Sequence, residues 1–274
     1  DVSNVNAPVL KSQTNIAGQG NKGVVVGNYL YMGTESSTKG FVIYDISNPS
    51  SPVMKSQFNV GGVVTSVAVS GNYAYIATRN SSKEFQIINI SSPTAPSVTG
   101  YLNLANDGRA VALNGVTAYV GLDSSTNGFV TVNISNVASP TSLGTVDVDN
   151  TIQDIGVLGN YVYLALDDEN EGLGVMNATS PTAPFLSYIQ DVEGKGTGVD
   201  VSGDYVFLSL DTSNKGLVLT GAASVSVASS GNYLSSIYDT GSIDTRYNYL
   251  SWSATVVSGS TVTLQLRTAS TAAG

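Results

Sequence analysis

The chain of 274 residues contains no cysteine and no histidine. Without histidine it lacks both the usual general base near neutral pH and the commonest zinc ligand, which removes most serine-hydrolase and zinc-enzyme readings. The lack of cysteine leaves the redox compartment open, because a chain of this length buries enough apolar surface without covalent staples. Charge is scarce as well: 11 Lys and Arg stand against 20 Asp and Glu, a net charge of −9. Phosphate backbones and anionic lipids are bound through basic patches, so neither nucleic acid nor a membrane surface is an expected partner. No apolar run approaches the about 18 residues of a spanning helix, so no membrane insertion of this segment is expected. Neither a signal peptide nor an initiator Met is present, and the chain reads as a mature or trimmed piece of a longer precursor. Poverty in Lys and Glu beside an abundance of Ser, Thr and Tyr points to a secreted or cell-surface location.

What the sequence does contain is a repeat. Gly27-Asn28-Tyr29 returns as Gly71-Asn72-Tyr73, as Gly115 followed by Tyr119, as Gly159-Asn160-Tyr161 and as Gly203-Asp204-Tyr205, a constant step of 44 residues. Pro8, Pro52, Pro96, Pro140 and Pro184 keep the same step. A period of this size signals stacked supersecondary units, none able to bury its apolar faces alone. Within the second unit, residues 65–69 and 73–78 alternate as strands around the turn Gly71-Asn72, 85–88 form a third strand, and 97–104 a fourth. Gly-Asn before a β-rich run is hairpin chemistry, and Pro93 and Pro96 confine their segment to a loop and strand entry. In the second strand Tyr29 and Tyr31 share one face while Leu30 and Met32 share the other, and Tyr73, Tyr75, Tyr161 and Tyr163 repeat the pattern. Both faces therefore need cover, and small residues recur at Gly33, Ala77, Gly121, Ala165 and Ser209. Four-stranded sheets covered on both sides by copies of themselves are propeller blades. The expected fold is all-β, a five-bladed β-propeller over 1–220, with an N-terminal strand near 9–15 pairing with the third strand at 217–220 to close the last blade.

The third strand and its exit read Phe41-Val42-Ile43-Tyr44-Asp45-Ile46-Ser47-Asn48-Pro49, with cognates Phe85 to Pro93 and Phe129 to Asn136. This resembles the LVIVD repeat, a propeller-forming repeat of bacterial and archaeal surface proteins. The resemblance implies a surface-exposed, interaction-type module and supplies no catalytic residues. The pattern departs where its closing Asp becomes Asn89, Asn133, Asn177 and Gly221, and where Asn136-Val137 replaces Asn-Pro. Beyond the repeat, 221–230 reads as a small, polar linker. Residues 231–274 alternate again and resemble the first half of a β-sandwich module found on bacterial extracellular proteins, with Trp252 in its core. About 50 residues is short for a stable two-sheet domain.

Candidate sites are few. The innermost strands begin with Asn21, Thr65, Arg109, Gln153 and Thr197, so Arg109, Gln153, Asp154 and Asp200 are placed near the mouth of the central channel as a candidate ligand-binding group. The loops between second and third strands hold Asp167, Asp168, Glu169 and Glu171, a candidate calcium cluster, and 123–128 and 211–216 faintly echo calcium loops. Both runs lack the closing bidentate Glu, and turn chemistry accounts for their Asp, Ser, Asn and Gly. Sequons at Asn80, Asn89, Asn133 and Asn177 permit glycosylation and follow largely from the repeat. The expected function is a non-enzymatic extracellular module, an adhesin or a subunit of a cell-surface filament, with surface proteins, glycans or further copies of itself as partners. A lectin-like propeller is the alternative, although the loops vary too much for equal sugar sites. A glycoside hydrolase ranks lower, because only Asp154 and Asp200 near the mouth offer the required pair of carboxyls. Apart from possible calcium, no cofactor is expected.

Overall fold

The computed structural model of the protein describes residues 1–4, 6–16, 18–212 and 216–221. These form nineteen strands and no helix, gathered in five antiparallel sheets that stand in a ring as the blades of a β-propeller. Blade 1 comprises β1 (Gly20–Val26), β2 (Tyr29–Thr34), β3 (Phe41–Asp45) and β4 (Val53–Phe58). Blade 2 comprises β5 (Val63–Ser70), β6 (Tyr73–Arg79), β7 (Phe85–Asn89) and β8 (Ser97–Leu102). Blade 3 comprises β9 (Gly108–Asn114), β10 (Thr117–Leu122), β11 (Phe129–Asn133) and β12 (Thr141–Val146). Blade 4 comprises β13 (Ile152–Leu158), β14 (Tyr161–Leu166), β15 (Leu173–Asn177) and β16 (Phe185–Gln190). Blade 5 comprises β17 (Lys195–Ser202), β18 (Tyr205–Asp211) and β19 (Leu217–Gly221).

The hairpin glycines do what the repeat demands of them: Gly27, Gly71, Gly115, Gly159 and Gly203 all have φ between 56° and 58°. The residue after each is not left-handed, which is why Val116 and Asp204 stand there as readily as asparagine. The residue ending each third strand makes the next turn. Asp45, Asn89, Asn133 and Asn177 accept the amide two residues on at 3.0, 2.9, 2.9 and 3.0 Å. Asp and Asn are equivalent for this bond, so the departures from the repeat pattern here change charge and leave geometry alone.

The core lies between blades, in four clusters. The tyrosine face of one blade packs on the aliphatic face of the next: Tyr31, Phe41 and Ile43 meet Ala74, Ile76 and Ile88. Equivalent clusters join blades 2 and 3, 3 and 4, and 4 and 5. Tyr31, Tyr75, Tyr119 and Tyr163 are buried, and the first three stack on Phe41, Phe85 and Phe129 at 6.4, 6.4 and 5.9 Å. Burying such a side chain is worth about 1.5–3 kcal/mol, so these four interfaces outweigh any surface ion pair.

Close approach at these interfaces explains the small residues of the second strands. A Cβ on Gly33 would overlap the backbone carbonyl of Val64, and one on Gly121 would lie 2.6 Å from Ile152 Cγ2. Where Ala77 and Ala165 occupy that place, the facing residues are Gly108 and Gly196. Each junction therefore has one glycine, on one side or the other: Gly33 against Val64, Ala77 against Gly108, Gly121 against Ile152, Ala165 against Gly196.

One expectation fails. Residues 8–15 form no strand, and among the described residues blade 5 has three strands, with none paired to the outer side of β19. The cause is local: Val9 exchanges both backbone hydrogen bonds with Asp1, at 2.7 and 2.9 Å, so Asp1 already holds the position that Gly221 would take. Further along, Ser12 Oγ donates to Pro49 O at 2.7 Å and Tyr44 Oη to Asn15 O at 3.3 Å, which moors the segment on blade 1. Consequently β19 is exposed, with Leu217 and Leu219 at 61% and 55%, whereas β3, β7, β11 and β15 are each buried at four of five positions. Gly221, read as the start of the linker, is the last residue of β19. The rest of that linker and the sandwich module at 231–274 lie outside the described residues.

Gly33→Ala is expected to destabilise the propeller by about 1–3 kcal/mol, the usual cost of overpacking. Gly33→Ala combined with Val64→Gly recreates the Ala77–Gly108 arrangement and should recover part of that loss. Chemical denaturation of the three chains measures the coupling; simple additivity would refute a shared contact.

Candidate functional site

The first strands converge at one end of the ring, where the side chains that open them meet those that close the second strands. Two are neutral ties between blades: Asn21 Nδ2 donates to Val64 O at 2.9 Å, and Thr65 Oγ1 to Gly108 O at 2.7 Å. At the next two equivalent places the partner is a carboxylate within the same blade. Arg109 Nη2 pairs with Asp123 Oδ2 at 2.8 Å, and Gln153 Nε2 donates to Asp167 Oδ2 at 2.9 Å. Those carboxylates also reach the neighbouring blade: Asp123 Oδ1 accepts from Thr151 at 3.3 Å and Asp167 Oδ1 pairs with Lys195 at 3.0 Å. Glu35 and Arg79, at the corresponding ends of β2 and β6, join blades 1 and 2 at 3.2 Å. Thus positions 35, 79, 123 and 167, one in each of blades 1 to 4, carry charge, and their contacts join blade 1 to 2, blade 3 to 4 and blade 4 to 5.

Asp154 is the deepest member of the group, with its side chain 16% exposed. It pairs with Lys22 of blade 1 and accepts the amides of Ile155 at 2.9 Å and Val199 at 3.2 Å. One carboxylate thereby touches blades 1, 4 and 5. Asp200 does not join it; it is exposed and accepts the amide of Val201 at 2.9 Å. Of the four expected channel residues, Arg109, Gln153 and Asp154 are each tied to a separate partner, and Asp200 is exposed.

The expected calcium cluster is likewise dispersed. Asp167 is held by Gln153 and Lys195, Asp168 caps the amide of Asn170 at 2.8 Å, and Glu171 accepts from Asn150 at 2.8 Å. Glu169 instead lines a cleft of about 390 Å³ with Asp191, Glu193 and Asp211. Among the described residues no group of three or more acidic side chains is arranged to hold a metal ion.

Asp45 and Asp167 both have pKa values held below the usual carboxylate range. Two hydrogen bonds from Ser47, then Lys55, hold Asp45 down to about 2. Lys195 first, then Gln153, lowers Asp167, and Asp167 in turn raises Lys195.

Sequence reasoning missed Glu84. It takes the place of a repeat glycine, represented elsewhere by Gly40, Gly128, Gly172 and Gly216, yet it is 3% exposed and accepts the Leu104 amide at 2.7 Å. Gln86, wholly buried, stands where β3 and β11 carry valine and donates to Val60 O at 3.0 Å. Both were signalled by departure from the repeat, which marks an altered position without giving its partner.

A ring of five antiparallel blades, four of them four-stranded, with interlaced charges at one mouth defines a repeat β-propeller. The LVIVD repeat matches residues 17–60, 61–103, 106–148 and 151–191, and the chain belongs to the LVIVD repeat family. Among solved structures it is similar to a nidogen–laminin complex, at 10% identity and a TM-score of 0.57, over 74% of this chain and 76% of that one. It is also similar to the computationally designed protein Ika8, at 9% identity and a TM-score of 0.51, over 74% and 70% of the respective chains. These likenesses show the fold alone. No curated protein matches the chain at a significant level. Among the described residues no helix is long and apolar enough to cross a membrane.

Asp154→Ala should destabilise the ring by about 1–3 kcal/mol, because it leaves Lys22 and the Val199 amide without their acceptor; unchanged denaturation would refute its linking role. Lys195→Ala is expected to raise the Asp167 pKa toward 3.8, followed by carboxyl NMR titration. Because the folded value is depressed, the Asp167 contribution is present above the unfolded pKa and is lost as pH falls through the folded one.

Proposed function

We propose that the protein is a non-enzymatic interaction and structural module of the cell surface, an adhesin or a filament subunit that displays its propeller loops to partners. The observation that carries this reading is the use of charge at the channel mouth. There the acidic groups Glu35, Asp123, Asp154 and Asp167 are engaged with Arg79, Arg109, Lys22 and Lys195. These pairs secure the ring and leave the scaffold's variation to the loops, where binding surfaces of rigid folds are usually built. An extracellular setting fits a surface rich in Ser, Thr and Asn and poor in Lys.

Electron microscopy of purified native material tests the reading. Ordered filaments with a regular subunit rise are the expected result. Dispersed particles that bind on a glycan array would favour the lectin alternative, and glycosidic-bond cleavage abolished by Asp154→Ala would overturn the non-enzymatic assignment.

A further inference from the structure

The sequons at Asn80, Asn89, Asn133 and Asn177 are divided between the two ends of the ring. Asn89, Asn133 and Asn177 close β7, β11 and β15, opposite Tyr73, Thr117 and Tyr161 at the starts of the adjacent second strands. Asn80 follows the last residue of β6 and so lies at the other end, with the channel mouth.

The three strand-end sequons are folded alike. Each amide oxygen accepts the backbone amide of the hydroxyl residue, Ser91, Ser135 or Thr179, at 2.9, 2.9 and 3.0 Å. Each middle residue is buried, and the amides of Ile90, Ile134 and Ala178 donate to the carbonyls of Asn72, Val116 and Asn160 at 2.9, 2.9 and 2.8 Å. What is left over is Nδ2, which bonds nothing among the described residues and is open to solvent in all three. The hydroxyl residues beside it are exposed. Asn80 is the contrast: its Nδ2 donates to Gly61 O at 3.0 Å and to Val60 O at 3.4 Å. The loop crowds that nitrogen, since a Cβ on Gly61 would lie 2.8 Å from it.

We infer that Asn89, Asn133 and Asn177 are N-glycosylated and that Asn80 is not. The donor is an oligosaccharide carried on a lipid phosphate. Nδ2 attacks its anomeric carbon, and the new N–C bond replaces the sugar–phosphate bond. The lipid phosphate leaves with the bonding electron pair, and one amide proton passes to a base of the transferase. The carbonyl oxygen is untouched, so the cap on the following turn survives, whereas a sugar on Asn80 displaces a hydrogen bond and the 59–62 loop. Asn177 has the most favourable setting, because its partner in β16 is Phe185, 54% exposed. Paired residues hold their Cβ atoms about 4.5–5.5 Å apart, so the ring stands beside the first sugar and offers it an apolar surface. Asn89 and Asn133 face Ser97 and Thr141 instead. Bulky, solubilising glycans on blades 2, 3 and 4 then cover one end of the ring and leave the mouth-end loops bare for contacts. The inference rests on the cell-surface reading for access to the transferase.

Blade 1 supplies a built-in control, since Asp45-Ile46-Ser47 makes the same turn, at 3.0 Å, with a carboxylate in place of the amide. Glycopeptide mass spectrometry of the protein from its native source reads each site. The expected result is a hexose-containing addition on Asn89, Asn133 and Asn177, with the highest occupancy at Asn177 and none on Asn80. Expressed in the same host, Asp45→Asn should gain an addition at residue 45. Asn177→Asp, which keeps the cap as Asp45 does, should lose its own while unfolding at the same denaturant midpoint. Equal modification of Asn80 would refute selection by the free Nδ2, and an addition that persists in Asn177→Asp would assign the sugar to a hydroxyl. Bare 89, 133 and 177 peptides from protein that a membrane-impermeant label reaches on intact cells overturn the inference and leave the surface reading standing. Protein that the label does not reach overturns the surface reading and the glycans with it.

Discussion

Every blade of this protein is a sheet with two apolar faces, and each face must be covered by another blade. That constraint governs the rest. The tyrosine row of one blade lies on the aliphatic row of the next, and the fit permits only one Cβ where the second strand meets the following first strand. The glycine alternates sides, at 33, then 108, then 121, then 196. The backbone separation is therefore conserved around the ring while the bulky partner changes blade. Such exchange is what dense interiors tolerate, since volume is kept and only its owner differs.

Charge follows from the same stacking. Where strands end at the channel mouth the apolar rows run out, and adjacent blades present polar ends to one another. Arg79 with Glu35 and Lys195 with Asp167 bridge blades there, and Asp154 links three. The exposed pairs contribute little energy individually, about 0–1 kcal/mol. Their value lies in angular registration, because a pair that bridges two blades resists their rotation past each other. Asp154, largely buried, matters more, since it ties Lys22 of blade 1 to the backbone of the fifth blade's inner strand.

The fold was legible because a fixed step of 44 residues maps every strand onto four others, and because tyrosine alternation disclosed that both sheet faces were covered. Ion-pair partners were not legible to the same degree. Glu35 and Arg79 are one repeat apart, and Lys22 reaches Asp154 across three repeats. Pairing across a ring depends on which blades face each other over the channel, a distance that no local pattern encodes. This is why Asp154 and Asp200 read as one pocket from their spacing while the structure sends one to Lys22 and leaves the other exposed. Glu84 and Gln86 illustrate the remaining gap: a broken repeat names the position, whereas the amide or carbonyl that satisfies it comes from a neighbouring loop.

The fate of the fourth strand follows from competition for one backbone position. Asp1 and Gly221 occupy equivalent places in the repeat, and Gly221 is the last residue of a third strand. Val9 accepts and donates to only one of them, and Asp1 also brings the Lys11 ion pair and the Ser3 cap, which glycine does not supply. The N-terminal segment is therefore held by its own exit turn and by blade 1, and among the described residues it forms no ladder with β19.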